Sequence, residues 1–423
     1  VSEPAIETST SDGAGRPWLV LVESNTTGTG RDFAEAAVRR GLRPVLLARD
    51  PRRYPYAGEL GLPLRVVDTG DLSEVEAVCR ALAPPGPAGI LSSSEFFVPA
   101  AARVAARLGL PAQDPAAIER CRDKAAQRWC LRAAGVPVPD FVACDTAAAA
   151  ERAAHRLGGP VVVKPVSGSG SAGVRRCANP GAARWWADRL LTDGRRFPVA
   201  RVLVEREVAG PEFSVEILDG KPAGVTRKHV GQAPYFVETG HDHPAPLPAG
   251  EAVALHEVAV RAVQAVGHSV GPAHVELRVP PGGEPTVIEI NPRLAGGLIP
   301  RLVRHATGRD LVDEVVAGAA ALPVPGSPLA GRFASIRFLV PQRPGLVAGV
   351  TGLAQARALP GIVEAYCPLQ PGAVIGFEHS FADRQGHVMA VAPGSEAAAA
   401  LADRALAEIR IGYADERAGA TAR

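Results

Sequence analysis

The sequence has no apolar run approaching the roughly 18–20 residues that cross a bilayer. Its first stretch, VSEPAIETSTSDGAGRP, is polar and lacks the apolar core of a secretory signal. A cytoplasmic chain with no membrane partner is the expectation. Neither sign of charge is in excess: 46 Lys and Arg stand against 44 Asp and Glu, a formal charge of +2. That balance leaves no concentrated basic footprint for nucleic acid or for an anionic surface. Six cysteines (Cys79, Cys121, Cys130, Cys144, Cys177, Cys367) are scattered with no C-x-x-C pair, a pattern that suits reduced, buried thiols rather than a disulfide frame or zinc site. There is no G-x-S-x-G nucleophile elbow and no Gly-Lys-Ser/Thr phosphate loop. Internal repeats and sizeable low-complexity blocks are absent as well.

What is present is a chain of 423 residues, too long for one compact core and therefore divided into domains. After a tail (1–16), PWLVLVES, GTGRDFAEAAVRRG, RPVLLAR and DLSEVEAVCRALA alternate strand and helix, which predicts a parallel α/β layer over 17–115. Gly28 and Gly30 lie at its first strand-to-helix turn. They could serve a ligand or simply a tight turn, because Phe33 replaces the third glycine of a dinucleotide fingerprint. DPAAIERCRDKAAQRWCLRAAG then predicts one helix ended by Gly135, opening a second domain. GGPVVVKP reads as a strand ending in Lys164, and Asp219-Gly220 as the turn of a hairpin. LPVPGSPLAG (322–331) marks a further boundary, before FASIRFLVP, GHVMAVA and a terminal helix.

HVELRV and TVIEI, joined through PPGGEP, predict an antiparallel hairpin centred between Gly282 and Gly283. This register sets Glu276 opposite Glu289, His274 opposite Asn291, and Arg278 opposite Val287. Val275, Leu277, Val279, Ile288 and Ile290 fall on the other, apolar face. Two carboxylates directly across a strand pair repel unless something neutralises them. A divalent cation would do so, and hard carboxylate and amide oxygens suit Mg²⁺ completed by water and phosphate oxygens. Two solvated glutamates are the plainer alternative. SGSGSAGV, following the Lys164 strand, could bring backbone N–H groups to a phosphate or could be a flexible linker. Lys124 and Lys164 could supply charge to phosphate oxygens or be ordinary surface lysines.

Taken in order over about residues 120–295, the RDK containing Lys124, VVVKP with its Gly/Ser-rich loop, VLVEREVAGPEFSVE, HVELRV and VIEINPR resemble the ATP-grasp superfamily. The resemblance implies a mixed α/β and α+β fold. An N-terminal Rossmann-like domain (17–115) would be followed by two ATP-grasp subdomains, 116–204 with the Gly-rich loop and 205–325 with the metal and substrate site, and by a C-terminal α+β lobe (326–423). It also implies residue roles. Lys124 and Lys164 bind nucleotide phosphates; Gly168, Ser169, Gly170, Ser171 and Gly173 form the loop that closes over them. Glu205 lies near the adenine amino group, Val208 contributes hinge backbone, and Glu212 binds ribose. Glu276, Glu289 and Asn291 hold Mg²⁺, with Mn²⁺ as a substitute. Arg293 steadies the transferring phosphoryl group or the tetrahedral intermediate.

PYFVETGHDHPAPLP and NPRLAGGLIPRLV resemble the L-amino acid ligase branch, the dipeptide-forming group that includes bacilysin-type synthetases. Its E-x-x-H falls on Glu238 and His241, which the resemblance assigns to substrate binding and to candidate base catalysis, with Gly296 and Gly297 beside them. The expected activity is ATP-dependent joining of a carboxylate and an amine, amino acids in particular, through an acyl phosphate with release of ADP and phosphate. Specialised metabolism such as antibiotic biosynthesis, and a homodimer, accord with this branch. Three alternatives stay open: ligation of a non-amino-acid carboxylate or a nucleoside amine, carboxylate phosphorylation or carboxylation, and non-catalytic nucleotide binding.

Overall fold

The computed structural model describes residues 15–26, 29–192, 199–324, 326 and 330–414. Gly28 and nearly all of the N-terminal tail lie outside them. The chain forms two compact units: Val1–Pro115 with Val312–Pro325, and Ala116–Leu311 with Gly326–Arg423. No helix among the described residues is long and apolar enough to cross a membrane.

The first unit carries β1 (Trp18–Val22), α1 (Thr29–Arg39), β2 (Arg43–Ala48), α2 (Pro55–Glu59), β3 (Leu64–Val66), α3 (Leu72–Arg80), β4 (Pro87–Leu91) and α4 (Val98–Arg107). Its sheet is parallel, in the order β3-β2-β1-β4. Every residue of β1 is buried, as a strand covered on both faces requires. Gly30 is a packing glycine, since a Cβ there would lie 1.7 Å from Ser24 Oγ and 2.6 Å from the Asn25 carbonyl. The returning segment is fastened by Arg40, whose Nε donates to Asp313 Oδ1 at 2.9 Å. It passes so close to β4 that a Cβ on Gly89 would sit 2.4 Å from the Ala319 carbonyl oxygen.

The second unit begins with α5 (Pro115–Arg122) and α6 (Lys124–Ala133). The single helix expected here is therefore broken. Asp123 takes an extended conformation and its carboxylate accepts from Ala126 N, capping a new helix. The break lets Lys124 N donate to the Val166 carbonyl at 2.9 Å. A small antiparallel sheet follows, formed by β5 (Phe141–Cys144), β6 (Val161–Pro165), β7 (Arg175–Cys177) and β8 (Val202–Arg206) in the order β5-β8-β6-β7. Helices α7 (Ala147–Leu157) and α8 (Pro180–Thr192) cover it.

The large sheet comprises β9 (Glu212–Leu218), β10 (Lys221–Val230), β11 (Glu238–His243), β12 (Pro272–Arg278) and β13 (Thr286–Asn291). Asp219 and Gly220, both at positive φ, make the β9–β10 turn. Helix α9 (Ala249–Ala265) buries Leu255, Val258, Ala259, Ala262 and Val263, a helical stripe, against the apolar face. Next come α10 (Ile299–Thr307), α11 (Leu311–Ala319), β14 (Phe333–Phe338), β15 (Gly345–Thr351), α12 (Leu353–Ala358), β16 (Ile362–Tyr366), β17 (Val374–Ile375), β18 (His387–Ala392), α13 (Ser395–Glu408) and β19 (Arg410–Tyr413). Strands β14, β18 and β16 continue the same sheet, whose order is β13-β12-β9-β10-β11-β14-β18-β16. β17, β15 and β19 form a separate three-stranded sheet.

The hairpin register holds at His274–Asn291, Val275–Ile290 and Glu276–Glu289, and then shifts. Leu277 pairs Val287 and Arg278 pairs Thr286, so the expected Arg278–Val287 pair does not form. Ile288 is the extra residue of a bulge. Val287 accordingly enters the core under α9, where Ile288 had been expected. The Ile288 carbonyl instead accepts from Arg128 Nη2. On the same edge of β13, Gln127 exchanges bonds with Ile290, Nε2 to the carbonyl at 2.9 Å and Oε1 from the amide at 3.0 Å. Two buried side chains of α6 thus occupy an edge that would otherwise be open to strand pairing.

Candidate active site

Alternation builds the site. Phe213, Val215, Ile217, Val225, Val275 and Leu277 face α9, so their neighbours Glu212, Ser214, Glu216, Thr226, Lys228, His274, Glu276 and Arg278 share the opposite face. At its centre lies Lys228, 5% exposed. Its Nζ is 2.8 Å from Glu238 Oε1, 2.8 Å from Glu276 Oε1 and 3.1 Å from Glu212 Oε1. Burial opposes the charge, but Glu238, Glu276 and Glu212 together hold the ammonium well above its ordinary pKa. Each carboxylate has a second cation: Arg278 for Glu212 at 3.0 Å, Arg384 for Glu238 at 2.8 Å, and His274 for Glu276 at 3.1 Å.

His274 bridges two carboxylates, with Nδ1 2.8 Å from Glu216 Oε1 and Nε2 3.1 Å from Glu276 Oε1. Burial would lower its pKa, yet Glu216 and Glu276 raise it to about 9, which makes it an imidazolium at neutral pH. Glu276 is desolvated, but Lys228 and His274 keep its pKa well below the carboxylate range. Across the strand pair Glu289 is held by Lys124, Nζ to Oε1 at 2.9 Å. The facing glutamates are therefore neutralised by protein cations on separate sides.

Lys124 also donates to the Gly168 carbonyl at 2.7 Å, joining α6 to the Gly-rich loop. Gly168, Gly170, Ser171 and Gly173 of that loop all have positive φ. Ala172 N reaches the Ser169 carbonyl at 3.4 Å, which folds the loop back on itself. Lys164, on β6, lies 2.5 Å from Glu205 Oε2, while Arg128 Nε donates to Glu205 Oε1 at 2.6 Å. Both oxygens of Glu205 are thus engaged. Its burial is outweighed by Arg128 and Lys164, which lower its pKa. Arg278 links the next stretch, pairing with Glu212 and donating to the Val208 carbonyl at 3.1 Å.

Glu238 and His241 come together at the other end of this face, Oε2 to Nε2 at 3.6 Å. His241 is fully buried, and neither ring nitrogen has a hydrogen-bond partner among the described residues. Burial pushes its pKa down to about 3, so it is neutral. Glu238 is desolvated, yet Lys228 and Arg384 pull its pKa far below the carboxylate range. Gly297, at φ +59, is required here: a Cβ would lie 2.6 Å from His241 Nε2 and 3.3 Å from Arg384 Nη1. Gly296 is exposed and borders open space. Arg293 lies beside Asn291, with Nη2 3.5 Å from Oδ1. A cleft of about 450 Å³ bounded by Val142, Cys144, Arg152 and Arg201 holds none of these residues.

Among the described residues, no three His, Cys, Asp or Glu side chains already converge as a metal cage. Glu276, Glu289 and Asn291 nevertheless place two carboxylates and an amide on paired strand positions, a partial oxygen set of the kind Mg²⁺ takes when phosphates and water complete its shell. Lys228, His274, Arg128 and Arg384 were not expected from sequence. The first two carried a usable signal, since each alternates with another polar residue of its strand, Lys228 with Thr226 and His274 with Glu276. Arg128 and Arg384 carried none.

Residues 157–301 match the ATP-grasp domain, and residues 337–414 match the L-amino acid ligase C-terminal domain 2. The chain is 35% identical over 419 residues to the protein y4rH of Sinorhizobium fredii, covering 96% of this chain and 87% of that one. It is 32% identical over 323 residues to carnosine synthase 1 of Gallus gallus, covering 70% of this chain and only 34% of that longer protein. The crystal structure of an L-amino acid ligase from Bacillus licheniformis superposes with a TM-score of 0.79 at 25% identity, over 94% of this chain and 99% of that one. The chain belongs to the ATP-grasp superfamily of ATP-dependent ligases, and within it resembles the L-amino acid ligases.

Proposed function

We propose that the protein joins the carboxylate of one amino acid to the amine of another, by way of an acyl phosphate, with release of ADP and phosphate. The observation that carries this reading is the continuity of one charged face. Lys124, Lys164 and the Gly-rich loop stand at one end of it, the paired Glu276 and Glu289 lie next, and Glu238 with His241 stand at the other.

A carboxylate oxygen attacks the γ-phosphorus of ATP, and the bond from that phosphorus to the β-bridging oxygen breaks, releasing ADP. Lys124 and Lys164 offset charge on the phosphates, and the loop backbone closes over them. Glu276, Glu289 and Asn291 would hold a divalent ion, Mg²⁺ by preference, which when bound neutralises phosphate charge. The amine nitrogen then adds to the acyl carbon, the carbon–oxygen bond to phosphate breaks, and the amine gives up a proton. Arg293 supports the oxyanion.

His241, neutral with a pKa of about 3, and Glu238, held by two cations, are both mistuned as bases near pH 7. They serve better as binding groups, with the amine arriving unprotonated or yielding its proton to phosphate. Chromatography of nucleotide products with paired amino acids tests the reading. ADP formed only when two amino acids are present supports it. AMP and pyrophosphate, or ADP with a single substrate and no amide product, would overturn it.

A further inference from the structure

We propose that Arg384 binds the carboxylate of the amine-bearing substrate, selecting an acceptor that is itself an amino acid over a simple amine. The assignment rests on the ligase reading above. Arg384 comes from the loop between β17 and β18. Its Nη1 donates to Glu238 Oε2 at 2.8 Å, its guanidinium lies 4.5 Å from the centre of the Phe338 ring, and its side chain is 14% exposed.

The loop backbone that carries this side chain is braced on both sides of it. The Asp383 carboxylate, 3% exposed, accepts from Glu378 N at 2.7 Å and His379 N at 2.9 Å. Ser380 Oγ accepts from Ala382 N at 3.2 Å, and Gln385 Nε2 donates to the Ala382 carbonyl at 2.8 Å. The loop also rests on other parts of the site. Phe381 N donates to the Gly170 carbonyl at 3.2 Å, and the His379 ring stacks on Tyr235 at 3.7 Å. A casual surface ion pair needs no such support, whereas a group that must meet a ligand in one geometry does.

Charge identifies the ligand. Glu238 already has Lys228 at 2.8 Å, so it stays neutralised when Arg384 turns to a second anion. A planar guanidinium suits a carboxylate, which it can hold through two parallel bonds. Beside it, His241 has two buried nitrogens without a hydrogen bond among the described residues, and the chain opens at Gly296. Two amino acids bring one ammonium and one carboxylate to this point. The donor's ammonium replaces Arg384 on Glu238, and the acceptor's carboxylate replaces Glu238 on Arg384.

The test compares wild type, Arg384→Gln and Arg384→Lys for ADP release with the twenty amino acids in pairs. The acceptor of each productive pair is identified by mass spectrometry of the product and then supplied as its carboxamide. For Arg384→Gln, the acceptor KM is expected to rise on the order of 10- to 100-fold with the free acid, the weight of hydrogen bonds to a charged group. The carboxamide should show no comparable rise, and Arg384→Lys should fall between. Equal losses with acid and carboxamide, no loss with either, or a wild type indifferent to the acceptor's carboxylate would overturn the assignment while leaving the ligase reading intact. A wild type that releases no ADP with any pair would remove both.

Discussion

Replacing Lys228 by methionine tests the central cluster most directly. Methionine keeps an unbranched stem of similar length and removes the charge. Each of the three contacts, at 2.8, 2.8 and 3.1 Å, is worth about 5–6 kcal/mol of Coulomb energy at an effective dielectric near 20. Most of that is cancelled by mutual repulsion of the carboxylates and by the several kcal/mol needed to desolvate the ammonium. What remains is of the size measured when one partner of a buried pair is removed, about 3–5 kcal/mol. The lower end is expected, because Arg278, Arg384 and His274 remain beside the three carboxylates. The deficit should therefore be about 3 kcal/mol rather than three times that.

Urea unfolding followed by tryptophan fluorescence reports on the right part of the molecule, since Trp129, Trp185 and Trp186 lie in the second unit and only Trp18 in the first. The pH dependence supplies an independent check. The folded pKa of Lys228 is raised, so its contribution is complete below the unfolded value of 10.5 and fades only as pH rises through the folded value. Glu238 and Glu276 are lowered from 4.5; their contribution is complete above that value and fades as pH falls through the folded ones. The variant loses the main cause of that lowering. Its deficit should be constant from pH 6 to 9 and narrow toward pH 4. A deficit under about 1 kcal/mol at pH 7.5, the range of a solvated surface pair, would refute the reasoning, as would one that widens on acidification.

Two further outcomes are expected. Gly297→Val forces a branched side chain onto positive φ and into His241 and Arg384, so it should cost about 1–3 kcal/mol of stability and weaken amino-acid use more than ATP binding. Calorimetry and ADP release measure the two effects, and a variant with normal melting and normal turnover would contradict the close approach at His241. His243 is buried with its pKa lowered to about 4 from 6.5, so its contribution is complete above pH 6.5 and is lost as pH falls toward 4, about 1.4 kcal/mol per unit. His243→Asn should flatten the stability–pH slope between pH 6 and 4.5 by up to one proton, and an unchanged slope would show that the imidazole is not desolvated.

Residue spacing revealed the paired glutamates because a strand's period of two is rigid and a Pro/Gly turn centres its hairpin. It could not reveal the bulge at Ile288, which depends on Arg128 arriving from another element to take the carbonyl. The break at Asp123 was hidden in a different way. An N-cap aspartate inside an Ala- and Arg-rich run looks like a helix interior until the Val166 carbonyl is there to receive Lys124 N. Arg384 was beyond reach, being separated from Glu238 by 146 residues and presented by an irregular loop.

The facing glutamates also meet protein cations that spacing alone did not suggest. Cross-strand repulsion would let Glu276→Gln relieve strain, but Glu276 is the common partner of Lys228 and His274, so its removal would leave two buried cations short of an anion. The repulsion is met from the flanking rows and from α6, since Lys228 and His274 reach Glu276 and Lys124 reaches Glu289. Glu212 lies between Arg278 and Lys228 in register, and His274 between Glu216 and Asn291. Such rows exist only in one register, because a slip of one residue would turn every charged side chain toward α9 and every valine toward the site. The bulge falls immediately beyond Glu276 and Glu289. It leaves those two in their row, turns Val287 into the core and sets Thr286 beside Arg278, so the polar face continues into the Arg278–Glu212–Lys228 row.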